Sequence, residues 1–129
     1  MQKRAGLLFL SKKTERVLLI LQEGKWTVPT FPRESTLLED SADLMKKYSQ
    51  GRIIPIELYL SADKGFEYGT YVCLVEEEFS TTAAETIAWC KLTNLPGHLH
   101  SGLKNTLNNS LIKTKIFTIL ELELSNSNN

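Results

Sequence analysis

Two apolar runs near the front of the chain, Ala5-Gly6-Leu7-Leu8-Phe9-Leu10 and Val17-Leu18-Leu19-Ile20-Leu21, constrain the fold more than any other feature. A strand with one solvated face alternates apolar and polar residues. A continuous run is apolar on both sides and has to be covered on both. The polar stretch Ser11-Lys12-Lys13-Thr14-Glu15 between the runs predicts a hairpin-like turn. A chain of 129 residues is long enough to build such a sheet and its cover in one domain. Neither run is long enough to span a bilayer. Lys3 and Arg4 ahead of the first run echo a signal peptide, but no small-residue cleavage site follows, so a cytoplasmic protein is expected.

After Glu23-Gly24-Lys25, prolines 29 and 32 hold the chain extended, because proline fixes its own φ and disfavours helix in the residue before it. Thr36 with Glu39 three residues on is a capping-box pattern, and predicts a helix over 36–49 ended by Gly51. Leu38, Ala42, Met45 and Ser49 would form its buried face, flanked by Leu37, Leu44 and Tyr48. Strands are expected over 52–60 (with an edge or bulge at Pro55), 70–77 and 86–90, and a turn over 62–68. Leu95-Pro96-Gly97 breaks the chain before a closing helix carrying Leu103, Leu107, Leu111, Ile112, Ile116 and Ile119 or Leu120. The expectation is one α+β domain over 1–124 with a polar tail over 125–129.

Fifteen basic and fifteen acidic side chains cancel, so no global field draws in nucleic acid or anionic membrane. Cys73 and Cys90 lack ligand spacing and suit buried, reduced thiols. Trp26 and Trp89 fit core or pocket-lining positions. Phe31 and Phe66 fall where loops are expected, and either ring could stack on a base or anchor its loop.

The order of these elements resembles a Nudix domain, over nearly the whole length of the chain. Gly24-Lys25-Trp26-Thr27-Val28-Pro29 resembles the family's lead-in, and Tyr71-Val72-Cys73-Leu74-Val75 its central strand. Glu85-Thr86-Ile87-Ala88-Trp89, followed by Leu92, Leu95 and Pro96, is similar to its E-x-x-x-W-x-x-x-x-x-L-P passage. The resemblance implies an α/β/α sandwich with a mixed sheet, a central helix after the Trp-x-x-Pro turn and a C-terminal helix.

The family's chemistry rests on glutamates of an Arg-Glu-apolar-x-Glu-Glu-x-Gly helix, which hold magnesium against a diphosphate. Here Thr30-Phe31 replaces the glycine pair before that helix, and the interval from Pro29 to Gly51 is about one residue short. Anchored on Gly51, the arginine and three glutamate positions hold Leu44, Met45, Tyr48 and Ser49. Shifted by one they hold Asp43, Leu44, Lys47 and Tyr48. Neither register keeps a catalytic glutamate, and standard Nudix hydrolysis is not expected.

Three functions remain open. A degenerate Nudix-fold protein would bind a nucleotide or other phosphorylated ligand with no metal cofactor, through Lys46, Lys47 and Arg52; the same lysines also suit a solvated helix end. A divergent hydrolase of nucleoside diphosphate derivatives would hold magnesium or manganese on relocated carboxylates, drawn from Glu34, Glu39, Asp40 and Asp43 or from Glu76, Glu77 and Glu78. Their spacings also describe a dipole-favoured helix start and a charged strand end. A protein-interaction module, such as a homodimer, would leave the cleft vestigial. RNA recognition, known among relatives with eroded boxes, is not indicated by the net charge. His98 and His100 could meet a metal, but no third ligand lies near them in sequence.

Overall fold

The centre of the molecule is a parallel pair. In the computed structural model, which describes residues 2–48, 51–54, 58–81 and 85–127, β1 (Gln2–Ser11) lies beside β7 (Phe66–Val75) in unbroken register from Gln2↔Phe66 to Ser11↔Val75. β2 (Arg16–Gln22) returns antiparallel along β1, and β3 (Lys25–Thr27) and β8 (Ile87–Lys91) pair with β2. β4 (Thr30–Pro32) pairs with β1, while β5 (Arg52–Ile53) and β6 (Tyr59–Asp63) share the outer edge of β7. The described residues thus build an eight-stranded mixed sheet.

The two apolar runs behave as their composition demands. On one face Leu8, Leu10, Val17, Leu19, Val72 and Leu74 are covered by α3 (Ser101–Leu107) and α4 (Ser110–Ser127), through Leu103, Leu107, Ile112, Ile116 and Leu120. On the other, Ala5, Leu7, Phe9, Leu18, Tyr71, Cys73 and Val75 are covered by α1 (Leu37–Asp40) and α2 (Ala42–Tyr48). This is an α/β/α sandwich.

Four expectations need correction. The helix over 36–49 is two helices, because buried Ser41 turns its hydroxyl back onto the Leu37 carbonyl at 2.6 Å and breaks the run. Its apolar side is also rotated: Leu37, Leu44, Met45 and Tyr48 face the sheet, whereas Leu38 is 80% exposed. Ala42 is exposed too, and Ser49 lies outside the described residues. The strand over 52–60 divides into β5 and β6; Ile54 and Leu58 still donate to the Val72 and Thr70 carbonyls across the interruption, and Pro55 itself lies outside the described residues. The turn over 62–68 shrinks to Lys64-Gly65, both at positive φ (31° and 80°), the conformation of a two-residue hairpin turn. Phe66 is therefore strand rather than loop.

The closing helix also divides. The Asn109 side chain accepts from the amides of Leu111 (2.9 Å) and Ile112 (3.3 Å), capping α4 and starting it at a new angle. Leu111 is turned outward and Ile112 takes the buried place. α4 continues through Ser127, because Ser125-Asn126-Ser127 contains no helix breaker; residues 128 and 129 lie outside the described chain. No described helix is long and apolar enough to cross a membrane.

Candidate functional site

A cavity of about 960 Å³ opens on the α3 side of the sheet, lined in part by α3 itself. Its floor follows from strand alternation. Tyr59 and Ser61 on β6 oppose Thr70 and Tyr68 on β7, so the side chains of Phe66, Tyr68 and Thr70 share that face. Three rings line the cavity: Tyr59 and Phe66, each 39% exposed, and the more buried Tyr68.

Tyr68 reaches across onto β1 because residue 6 is glycine: a Cβ there would stand 2.2 Å from the phenol oxygen and 2.9 Å from a Val28 methyl. Burial pushes the Tyr68 phenol pKa up, while the neighbouring Arg4 guanidinium pulls against it. Arg4 also donates to Thr30 Oγ1 at 2.9 Å, which fixes the guanidinium beside the rings. Lys25, His100 and the carboxylate of Glu23 are among the other polar groups that line it. Planar rings with a positioned guanidinium form a surface suited to a flat, anionic ligand.

The helix that would carry magnesium ligands does different work. Tyr48 is buried, with its ring 5.4 Å from Phe9 and 6.4 Å from Phe79, and Leu44 and Met45 pack beside it. Tyr48 Oη donates to one oxygen of Glu85 and Lys47 Nζ to the other, both at 2.6 Å. Burial works to raise the Glu85 pKa, but the hydrogen bonds from Lys47 and Tyr48 and the lysine's charge outweigh it and hold the carboxyl below its usual range. Burial and the Glu85 bond push the Tyr48 phenol far up, so it stays protonated. These residues do not fit a magnesium site: in one register the positions hold packed apolar chains and Tyr48, in the other a lysine already paired with an acid.

The relocated carboxylates are mostly engaged elsewhere. Asp40 accepts from Arg33 at 2.8 Å and from the backbone amides of Glu34 and Ser35 at 3.0 Å, tying down the loop into α1. Glu39 accepts from Ser35 Oγ at 2.7 Å, and its amide donates to Thr36 Oγ1, so the predicted box forms on the threonine side only. Glu34 is exposed at the rim of a smaller cavity and Asp43 is exposed on α2. Glu76, Glu77 and Glu78 pair with Lys12, Lys13 and Arg16, fastening the end of β7 to the β1–β2 turn; the Arg16–Glu78 contact, at 2.6 Å, is a charge pair rather than an aligned hydrogen bond. Among the described residues, no three acidic, histidine or cysteine side chains converge to hold a metal ion.

Of the ligand residues expected from the sequence, only Phe66 reaches the cleft. Phe31 is 3% exposed on β4, packed in the opposite layer, because its strand pairs with Ala5 and turns the ring inward. Lys47 is bound to Glu85, Arg52 is ion-paired with Glu123, and Lys46 is exposed on α2, so the three cations do not gather around the cleft. His98, at φ 59°, lines a separate cavity from His100, because the His98–His100 segment runs alongside Trp26 and bonds to it through backbone atoms at both ends. Cys73 is buried, its thiol pushed up to about 12 by burial, and Cys90 is half-buried; neither is in a disulfide. Both tryptophans pack against the core. Arg4, Tyr59 and Tyr68 were not legible as site residues; the only signal was the alternation of Phe66 with Tyr68 beyond Gly65.

No protein-family model matches the chain, and no curated protein matches it in sequence. Solved structures do. A Nudix hydrolase from M. smegmatis, RenU, is similar over 81% of this chain and 80% of its own, with 19% identity and a TM-score of 0.64. An ADP-ribose pyrophosphatase from Streptococcus suis matches over 88% and 91%, with 13% identity and a TM-score of 0.61. An Ap4A hydrolase from C. elegans matches over 90% and 98%, with 16% identity and a TM-score of 0.60. With a mixed sheet covered on both faces and likenesses that extend over most of each chain, the protein has the fold of the Nudix hydrolases.

Proposed function

We propose that this protein binds a nucleotide or a related phosphorylated small molecule in the cleft between β6–β7 and α3, without a helix-held metal ion. The observation that carries this reading is the pairing of three rings, Tyr59, Phe66 and Tyr68, with a guanidinium, Arg4, held beside them by Thr30. Rings accept a base by stacking, and an arginine fork meets a phosphate directly. Solved neighbours described as an ADP-ribose pyrophosphatase and an Ap4A hydrolase make a nucleotide derivative the first class to try. Hydrolysis in the Nudix manner is set aside because the helix positions are packed or paired and the alternative carboxylates do not converge.

The test is a thermal-shift panel of nucleoside mono- and diphosphates, nucleoside diphosphate sugars and dinucleoside polyphosphates, each with magnesium and with a chelator. A ligand that binds only the folded state raises the melting temperature by mass action. The expected hit stabilises equally under both conditions and weakens as salt rises. Arg4→Met should then reduce affinity about tenfold or more, the loss of one charge-assisted contact. Lys47→Ala should leave affinity unchanged, since Lys47 is occupied by Glu85. A hit that requires magnesium, or one indifferent to Arg4→Met, would overturn the reading; a silent panel would leave the cleft without a nucleotide role.

A further inference from the structure

A second cavity, of about 420 Å³, lies between the loop after β8 and the joint of α3 with α4, and its charged lining is of one sign. Lys104, Lys113 and His98 line it, and among the described residues no acidic side chain does. The nucleotide cleft, by contrast, sets Glu23 against Arg4 and Lys25, and the cavity beside Arg33 sets Glu34 and Glu67 against its cations. In a chain with fifteen basic and fifteen acidic side chains, a cavity lined by basic groups alone is a local field of one sign in a molecule that has none overall.

Lys113 is poorly placed for a lysine with no ligand to meet. It is half-buried one turn into α4, near the positive end of the helix dipole, and that turn holds no acidic residue. Among the described residues neither Lys113 nor Lys104 is ion-paired, whereas Lys47 and Arg52 are both held by acids. A half-buried ammonium of this kind gives up hydration without a counter-charge in return. His98 is brought to the same space by backbone pairing. The Trp26 amide donates to the His98 carbonyl (2.9 Å) and the His100 amide to the Trp26 carbonyl (2.8 Å), which holds His98 at φ 59°, uncommon for a residue with a side chain. The pairing sends His98 to this cavity and His100 to the nucleotide cleft, so the two cavities share the segment as a wall. Below the polar groups Leu92 is buried, and Leu95 and Leu99 are half-buried against the core, which leaves an apolar floor.

We propose that this cavity is a second binding site, separate from the nucleotide cleft, for a phosphate monoester with a short apolar body. Two ammonium groups match the nearly double negative charge of such a phosphate at neutral pH, and His98 and Asn108 supply N–H donors for its oxygens. The leucines take the apolar body. A single carboxylate brings about half the charge, and a cation is repelled. Side chains rather than the start of α4 do the binding, because the Leu111 and Ile112 amides are already capped by Asn109.

Amide NMR titrations at constant ionic strength test the proposal, with inorganic phosphate, butyl phosphate and pentanoate as probes. Butyl phosphate should give saturable shifts centred on the amides of Gly97, Leu99, Asn108 and Lys113. It should bind about tenfold tighter than inorganic phosphate, since a methylene that leaves water adds about fourfold. Pentanoate should bind more weakly than butyl phosphate. Lys104→Met and Lys113→Met should each reduce affinity about tenfold, the loss of one charge-assisted contact, while Lys113→Arg should keep most of it. Arg4→Met should leave these shifts unchanged, so failure of the nucleotide cleft and failure of this site are distinguishable. Circular dichroism checks that each variant is folded. Shifts that do not saturate, that centre on the nucleotide cleft, or that survive both lysine-to-methionine substitutions would overturn the proposal. So would pentanoate binding as tightly as butyl phosphate.

Discussion

Glu85 shows how one carboxylate can hold a helix in place. It accepts hydrogen bonds from Tyr48 and Lys47 at 2.6 Å, joining α2 to the start of β8. Because its folded pKa lies below the unfolded value, it contributes stability above the unfolded carboxylate pKa, and that contribution is lost as pH falls through the lower folded pKa. Glu85→Gln is therefore expected to cost about 1–3 kcal/mol near neutral pH. The gap between variant and wild type should narrow only on acidification below the usual glutamate range. Urea titrations of both proteins across that range would measure it; a gap independent of pH would show that the charge of Glu85 is not what holds α2. None of this was visible in the sequence, where Glu85 and Lys47 stand 38 positions apart.

The helix pair α1–α2 shows where periodicity misleads. Leu38, Ala42 and Met45 and the sequence Leu37, Leu44, Tyr48 are both credible helical stripes, about 100° apart. The break at Ser41 and the enclosure of Tyr48 between Phe9 and Phe79 select the second. Leu37→Ala should accordingly cost about 1–3 kcal/mol, less than a fully buried leucine because Leu37 is only half-buried. Leu38→Ala should stay within about 0.5 kcal/mol of wild type. Chemical denaturation of the two variants side by side checks the assignment, and equal losses would reverse it. At β6–β7 the error came from turn length: two residues suffice where both take positive φ, and Phe66 is thereby placed on a strand facing the cleft.

At the scale of the molecule, charge is arranged as fasteners between elements. Arg33–Asp40 closes the loop into α1, Lys12–Glu76 and Arg16–Glu78 close one end of the sheet, and Arg52–Glu123 joins the β5 edge to α4. Carboxylates dispersed in this way leave no shared cradle for a divalent cation among the described residues. Millimolar magnesium without nucleotide is therefore expected to move the melting temperature by less than about 1 °C, since binding must be specific to the folded state to stabilise it. A clear, saturable increase would point to a cation site and revive the hydrolase reading.

The sequence alone determined the layered architecture, because two runs apolar on both sides have to be covered on both sides, and the order of strands and helices allows few other arrangements. It also determined that residues 44–51, after the helix start that follows Pro32, carry no carboxylate, since that depends only on which residues stand there. Tertiary structure decided the rest. Whether a lysine is a ligand or half of an ion pair depends on a carboxylate brought from a distant loop, as with Lys47 and Glu85. Which rings line a cavity depends on sheet register: Gly6 lies beside Thr70 and lets Tyr68 cross onto β1 next to Arg4, while Phe31, with two strands between it and β6, is turned to the opposite face. Local patterns encode what each element must bury; the pairing of distant strands sets which side chains meet.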